Sequence, residues 1–164
     1  MKADDVTDKM RSIVLACVIG YMLTWNTYGR WLQGDERGYV KNGQSLGCNA
    51  KLKKANQSRM VGSAFRLDEI QKTIVRNQIL ETAKRMAHTF YAVSVCSNHV
   101  HIVASSVDET IGEIVRMYKR ETVYALRKEG VEGNVWARGY DKRFCYNEGS
   151  LQARIEYVRG HYLD

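Results

Sequence analysis

The chain has 164 residues, of which 25 are Lys or Arg and 18 are Asp or Glu, so its formal net charge is +7. This length fits one domain with a substantial core and is too short for a TIM barrel, while 45% hydrophobic and 26% charged residues exclude wholesale disorder. The excess of positive charge points first to nucleic acid as a partner and says nothing about the fold.

An apolar run follows a short charged segment at the start of the chain. We predict a flexible tail over residues 1–12 and a single domain over residues 13–164. The run over 13–25 is shorter than the roughly 20 residues that span a bilayer, and the acidic residues before it are atypical of a signal peptide. We therefore expect a buried strand over 13–27 and no association with a membrane.

Residues 28–66 lack hydrophobic periodicity and are rich in Gly, Asn, Ser and Lys. We predict one long basic loop here, a kind of segment that is usually functional or mobile in a compact domain. The four cysteines are far apart and form no C-x-x-C pair. Neither a structural zinc site nor a disulfide framework is therefore expected, and a reducing cytoplasm is the predicted location.

Helix and strand signals alternate after this loop. Asp68 is predicted to cap a first helix, whose inward positions would be Ile70, Ile74, Leu80, Ala83 and Ala87. The later elements are predicted as strands over 90–95 and 99–104, a helix over 108–130, a strand within 136–146 and a helix over 148–163. This β-α-β-β-α-β-α order predicts an α+β protein with a ferredoxin-like split βαβ fold, in which helices cover one face of an antiparallel sheet and a C-terminal helix is added.

Two histidines alternate on the predicted strand over 99–104. The period of two places His99 and His101 on one face and Val100 on the other, towards the core. Two neutral imidazoles on one strand are half of a metal site. The alternative is a pair of polar residues on a solvent-facing strand.

The predicted C-terminal helix carries a second candidate pair. Its core face is predicted to be Leu151, Ile155, Val158 and Tyr162. Tyr157 and His161 are four residues apart and share a different face, which also carries Arg154. A hydroxyl one turn before an imidazole suits a nucleophile beside a metal ligand. The alternative is that Tyr157, one of ten tyrosines, merely flanks the core.

Several motifs occur in the order found in single-tyrosine transposases. Residues 98–103 (Asn-His-Val-His-Ile-Val) resemble the histidine-hydrophobic-histidine (HUH) signature of that family, and residues 136–140 and 154–158 resemble its closing strand and tyrosine helix. Residues 23–29 and 34–38 resemble the opening of the REP-associated branch. The similarity covers roughly residue 21 to the end, and it is nearest to the insertion-sequence 200-like and REP-associated tyrosine transposases.

The resemblance implies a single-stranded DNA endonuclease and strand transferase acting at hairpin or repeat DNA. Tyr157 would be the nucleophile and form a 5′-phosphotyrosine, while His99 and His101 would hold a divalent cation. The family's remaining ligand, commonly an amide four residues after the tyrosine, corresponds to His161. The resemblance implies Mg²⁺ or Mn²⁺, although three imidazoles favour softer ions such as Ni²⁺ or Zn²⁺, which we expect in crystals.

Cations and aromatic residues in the first half of the chain suggest a groove for single-stranded DNA. Residues 38–67 contain no acidic residue, and aromatic residues precede them. Lysine and arginine can follow the phosphates while aromatic rings stack on bases. The candidate DNA-binding residues are Arg30, Trp31, Arg37, Lys41, Lys51, Lys53, Lys54, Arg59, Arg66, Arg138 and Arg154. The alternative is a solvated loop with ordinary lysines.

A nucleotide hydrolase of the HIT type is disfavoured, because it would need a third histidine where Val103 stands. Two interpretations of function stay open: a transposase, and a non-catalytic, domesticated nucleic-acid-binding module of the same fold. A homodimer and a monomer both fit the resemblance, and a protein of this kind would be cytoplasmic and associated with the nucleoid when bound to DNA.

Overall fold

A four-stranded antiparallel sheet forms the centre of the fold in the computed structural model, which describes residues 18–30, 32–41 and 44–161. The elements in chain order are β1 (Gly20–Asn26), β2 (Tyr39–Lys41), β3 (Gln44–Leu46), α1 (Ala50–Ser58), α2 (Glu69–Arg85), β4 (Phe90–Val95), β5 (His99–Ser105), α3 (Ile111–Lys128), β6 (Asp141–Cys145) and α4 (Glu148–Gly160). The tail predicted over 1–12 and the first part of the strand predicted over 13–27 lie outside the described residues.

The strand order of the sheet is β4-β5-β1-β6, and every neighbouring pair is antiparallel. Helix α2 connects β1 to β4 and helix α3 connects β5 to β6, so each crossover joins two strands that have a third strand between them. This arrangement is the split βαβ fold expected from the element order. The predicted α+β fold is therefore confirmed.

The larger core lies between one face of the sheet and the helices α2 and α3. Alternate strand residues such as Leu23, Trp25 and Val100 are fully buried on this face. Helix α2 begins at the predicted cap Asp68, with a capping box completed by Gln71. Helix α3 begins after Thr110 and not at Asp108, because the Thr110 side chain accepts a hydrogen bond from the backbone N–H three residues later.

The buried face of α2 is not the one that the sequence predicted. Val75, Ile79 and Ala83 are buried, whereas Ile70 and Leu80 are exposed. Buried residues four apart form the stripe that faces the sheet. The prediction failed because apolar residues occur on more than one side of α2, and the packing of α2 against α3 decides which side is covered.

Helix α4 covers the opposite face of the sheet. Ile155 and Val158 of α4 pack against Met22 of β1 and Val103 of β5. Asn147 caps the helix and accepts a hydrogen bond from the backbone N–H of Ser150. The predicted core stripe is confirmed for its two central members, and Tyr162 lies outside the described residues. Helix α4 consequently runs beside the face of β5 that carries the histidines.

The segment predicted as one loop over 28–66 contains regular structure. Strands β2 and β3 pair antiparallel, and α1 begins after Asn49, whose side chain accepts from the backbone N–H of Leu52 at 2.9 Å. Helix α1 has no buried residue. The prediction of a loop was wrong for α1 because a helix that covers no core carries no apolar stripe from which its period can be read.

Among the residues that the structure describes, no helix combines the length and hydropathy needed to cross a membrane. Cys48, Cys96 and Cys145 are free thiols.

Candidate active site

His99 and His101 extend from β5 towards the side of the sheet that α4 covers. Val100 between them is fully buried on the opposite face, as the period of two requires. The centroids of the two imidazole rings are 4.6 Å apart. The histidine face is not open to solvent, because His101 is only 5% exposed. The alternative of two solvent-facing polar residues is therefore excluded for His101.

A third imidazole reaches the pair from the end of α4. His161 is the C-cap of this helix, and its ring centroid lies 5.0 Å from that of His101 and 5.9 Å from that of His99. One ring nitrogen from each of the three residues lies within 4.8 Å of the others. Nitrogens this close can be drawn onto one ion, so the three histidines can hold a metal.

Hydrogen bonds at Nδ1 orient each of the three rings. In His99, Nδ1 lies 2.6 Å from the side-chain oxygen of Asn98, and in His161 it lies 3.0 Å from the backbone oxygen of Tyr157. These amide and carbonyl oxygens accept, so Nδ1–H donates in both rings. In His101, Nδ1 lies 2.7 Å from the Thr24 hydroxyl, which can donate or accept. Nε2 is therefore the nitrogen left for a ligand.

Burial and mutual proximity keep the strand histidines neutral. Burial first, then the neighbouring His99 and His161, lower the pKa of His101 to about 3. The pKa of His99 is also lowered, mainly by burial and additionally by His161. A neutral imidazole is the form that binds a metal. Protons therefore compete little for these two nitrogens near neutral pH.

Tyr157 lies beside the three histidines and remains accessible. Its side chain belongs to α4 and is 51% exposed. Its ring centroid lies 4.4 Å from that of His161 and 5.6 Å from that of His101. The phenol thus occupies the edge of the same site, where a large substrate can approach it.

These side chains line one cavity of about 180 Å³. Its described lining residues are Thr24, Asn26, Arg30, Arg37, Asn98, His99, His101, Tyr157 and His161. None of these residues is acidic, and two are arginines. A cavity with this lining suits an anion together with a divalent cation.

Thr24, Asn26 and Asn98 were not among the predicted site residues. Thr24 and Asn26 alternate with the buried Leu23 and Trp25 along β1, and this alternation was visible in the sequence. The antiparallel register pairs Thr24 with His101 and Asn26 with His99. Only the pairing of β1 with β5 gives these two polar positions their significance.

Residues 63–161, more than half of the chain, match the family model described as "Transposase IS200 like". The chain belongs to this family. The match includes both strand histidines, Tyr157 and His161. A comparison with curated proteins finds no sequence match.

Two solved structures resemble the fold of this IS200-like chain. The first is a REP-associated tyrosine transposase bound to a REP hairpin, with a TM-score of 0.50, 15% identity and coverage of 85% of this chain and 64% of that one. The chain thus spans less than two thirds of that protein. The second, from Deinococcus radiodurans R1 and assigned as a transposase, has a TM-score of 0.44, 13% identity and coverage of 88% and 91%.

Of the DNA-contact candidates in this IS200-like domain, the structure brings Arg30 and Arg37 to the cavity. Two of the candidates form ion pairs with acidic residues: Arg37 Nε lies 2.8 Å from Asp35, and Lys53 Nζ, which does not line the cavity, lies 3.2 Å from Glu36. The pKa of Asp35 is lowered to about 2, chiefly by its hydrogen bond from Arg37. The acid-free window in the sequence is therefore partly neutralised in space.

The other candidates that the structure describes are not among the residues that line the cavity. Arg66 is exposed and its Nη2 donates to Ser97 Oγ at 2.7 Å, and the half-buried Arg154 has an Nε without a hydrogen-bond partner among the described residues. The candidates that are exposed on the surface are Lys51, Lys54, Arg59 and Arg138. Trp31 and the side chain of Lys41 lie outside the described part of the chain.

Proposed function

We propose that the chain is a metal-dependent single-stranded DNA endonuclease and strand transferase, a transposase that works through a 5′-phosphotyrosine at Tyr157. The observation that carries this proposal is that an accessible phenol and three imidazoles line one cavity, and that no carboxylate is among the described residues lining it. Membership of the IS200-like transposase family supports it. Because the REP-associated relative is bound to a REP hairpin, we propose hairpin or repeat DNA with a single-stranded flank as the substrate.

The proposed reaction exchanges one phosphoester for another. The Tyr157 oxygen attacks the phosphorus, the bond from phosphorus to the 3′ oxygen breaks, and the phenol oxygen becomes linked to the 5′ phosphate. The phenol proton passes to solvent and the 3′ oxygen takes a proton from solvent. Since the number of phosphoester bonds is unchanged, a 3′ hydroxyl can reverse the step and join strands without ATP.

The metal is proposed to be Mn²⁺ or Mg²⁺, of which Mn²⁺ fits the donor set better. The three imidazoles of His99, His101 and His161 would be the protein ligands. Mg²⁺ prefers oxygen ligands and retains its waters. Mn²⁺ has the lowest affinity for nitrogen ligands among the divalent first-row transition metals, but it accepts imidazole more readily than Mg²⁺ does. When bound, the ion supplies positive charge at the phosphate oxygens. We place the protein in the cytoplasm, on nucleoid DNA when bound.

The test is formation of a covalent adduct on a denaturing gel. The protein is incubated with Mn²⁺ and labelled REP-like hairpins that carry single-stranded flanks. Wild type is expected to form an adduct that resists denaturation and Tyr157→Phe is expected to form none, while Tyr124→Phe, which changes an exposed tyrosine of α3, serves as the control and keeps the adduct. Hairpin binding without any wild-type adduct would instead favour the non-catalytic binding module.

A further inference from the structure

We propose that Arg30 binds the non-bridging oxygens of the phosphate that Tyr157 attacks. The inference rests on the proposed function and assigns a specific task to one of the two arginines of the cavity. Arg30 follows the end of β1, whereas the histidines and Tyr157 come from β5 and α4, and all of them line the same cavity of about 180 Å³. A residue from a third element thus faces the reacting groups.

The charge balance of the cavity supports this assignment. No acidic residue is among its described lining residues, and the Nε of Arg30 is buried without a hydrogen-bond partner among the described residues. A buried donor of a charged group costs free energy unless an acceptor reaches it. A phosphodiester placed next to Tyr157 would supply an acceptor of opposite charge at that point.

Arg37, the second arginine of the cavity, is held differently. Its Nε donates to the Asp35 carboxylate at 2.8 Å, and its backbone N–H donates to the same oxygen at 3.2 Å. The Asp35 side chain is only 12% exposed, so the carboxylate of this ion pair is shielded from solvent. The carboxylate offsets the charge of Arg37, and Arg30 is therefore the better candidate for the phosphate.

A tight turn holds the backbone of Arg30 beside the cavity. Its backbone N–H donates to the Thr27 carbonyl at 3.3 Å, and the N–H of Thr27 donates to the Asn98 carbonyl at 2.9 Å. The turn is thereby attached to the residue that precedes His99. Within it, Gly29 has a φ of +73°, and a Cβ there would lie 2.8 Å from the Ala64 Cα. The turn is therefore closely packed as well as hydrogen-bonded.

The guanidinium group suits this role chemically. Its forked N–H groups can donate two parallel hydrogen bonds to two oxygens of one phosphate. Negative charge accumulates on these oxygens as the tyrosine oxygen attacks, so a charged donor that lines the same cavity would stabilise the transition state. The positive charge of Arg30 would then add to that of an ion held by the three histidines.

The experiment measures binding of thymidylyl-(3′→5′)-thymidine, a dinucleotide with one phosphodiester, to the Mn²⁺-loaded protein. Paramagnetic Mn²⁺ accelerates relaxation of a nearby ³¹P nucleus, so the signal reports binding at the cavity. Arg30→Ala is expected to weaken binding about tenfold, and Arg30→Lys less, because an ammonium retains the charge without the fork. The matched control is Arg116→Ala, an exposed arginine of α3 across the sheet, and it is expected to bind like wild type.

Calorimetric titration with Mn²⁺ shows whether each variant keeps the metal site. Weakened dinucleotide binding by Arg30→Ala with unchanged Mn²⁺ affinity supports the proposal. Equal dinucleotide binding by Arg30→Ala and wild type overturns it and leaves the proposed function intact. If Arg30→Ala does not fold, wild-type affinity in Arg30→Lys overturns the proposal. Absence of dinucleotide binding by the Mn²⁺-loaded wild type overturns the role of Arg30, and the hairpin adduct then tests the proposed function separately.

Discussion

The hydroxyl of Thr24 lies 2.7 Å from Nδ1 of His101. The two residues are 77 positions apart in the chain and are brought opposite each other by the antiparallel register of β1 and β5. Thr24, which is not one of the three candidate metal ligands, thus orients His101, which is one of them. Such supporting hydrogen bonds fix the tautomer of a ligating histidine and leave its other nitrogen for the metal.

Replacing Thr24 by valine is expected to weaken Mn²⁺ binding about tenfold or more, because His101 would lose its orienting partner. Valine has nearly the same shape, so the fold should be retained. Calorimetric titration gives the affinity, and Thr73→Val, which removes a hydroxyl bonded within α2, is the control. Unchanged Mn²⁺ affinity in Thr24→Val would show that the hydrogen bond does not orient the ligand.

The free energy of unfolding of the metal-free protein is expected to fall as the pH falls below about 6.5. The pKa of His101 is about 3 in the folded protein and about 6.5 in an unfolded chain, so the unfolded state takes up protons first and is favoured. The contribution of His101 to the free energy of unfolding is complete above its pKa in the unfolded chain. It is lost progressively as the pH falls towards its pKa in the folded protein. Each such group contributes about 1.4 kcal/mol per pH unit.

Urea unfolding measured between pH 7.5 and pH 5 gives the change in the free energy of unfolding per pH unit. This pH range lies above the one in which carboxylates titrate. His101→Gln should make the slope shallower, because His99 remains as the other histidine with a lowered pKa. If His101→Gln and wild type have the same slope, the pKa of His101 is not lowered by burial in the folded protein.

Gly29→Ala is expected to destabilise the protein by about 2 kcal/mol or more. The φ of +73° is unfavourable for alanine, and the added Cβ would overlap Ala64. Gly62→Ala separates the two effects, since Gly62 has a φ of +90° and open space around it and should lose only about 1 kcal/mol. If urea unfolding shows the same loss in the free energy of unfolding for both variants, the close packing of the 27–30 turn does not contribute to stability.

The placement of the site follows from short-range patterns in the sequence. The period of two predicted that His99 and His101 share one face, and the four-residue spacing predicted that Tyr157 and His161 share another. The roles of these residues as ligands and nucleophile remain predictions. The order of the elements could also be predicted, because most of them carry an apolar pattern or a capping residue in the sequence, such as Asp68 at the start of α2.

The unpredicted features depend on pairing between distant segments. Thr24 supports His101 only through the β1–β5 register, which no local pattern specifies. Lys53 had no acidic neighbour in sequence, yet it lies 3.5 Å from the Asp35 carboxylate in space. The polar helix α1 buries nothing and so left no periodic signal. These are tertiary relationships, and local periodicity does not encode them.

The most direct test of the account identifies the residue that becomes attached to DNA. Trypsin cleaves after Arg154 and Arg159, which releases residues 155–159 with Tyr157 as their single tyrosine. Mass spectrometry of the digested adduct formed with Mn²⁺ and a REP-like hairpin should find this peptide carrying a 5′-phosphate-linked nucleotide. An adduct located on any other peptide, or a 3′-phosphate linkage, would contradict Tyr157 as the nucleophile that forms a 5′-phosphotyrosine.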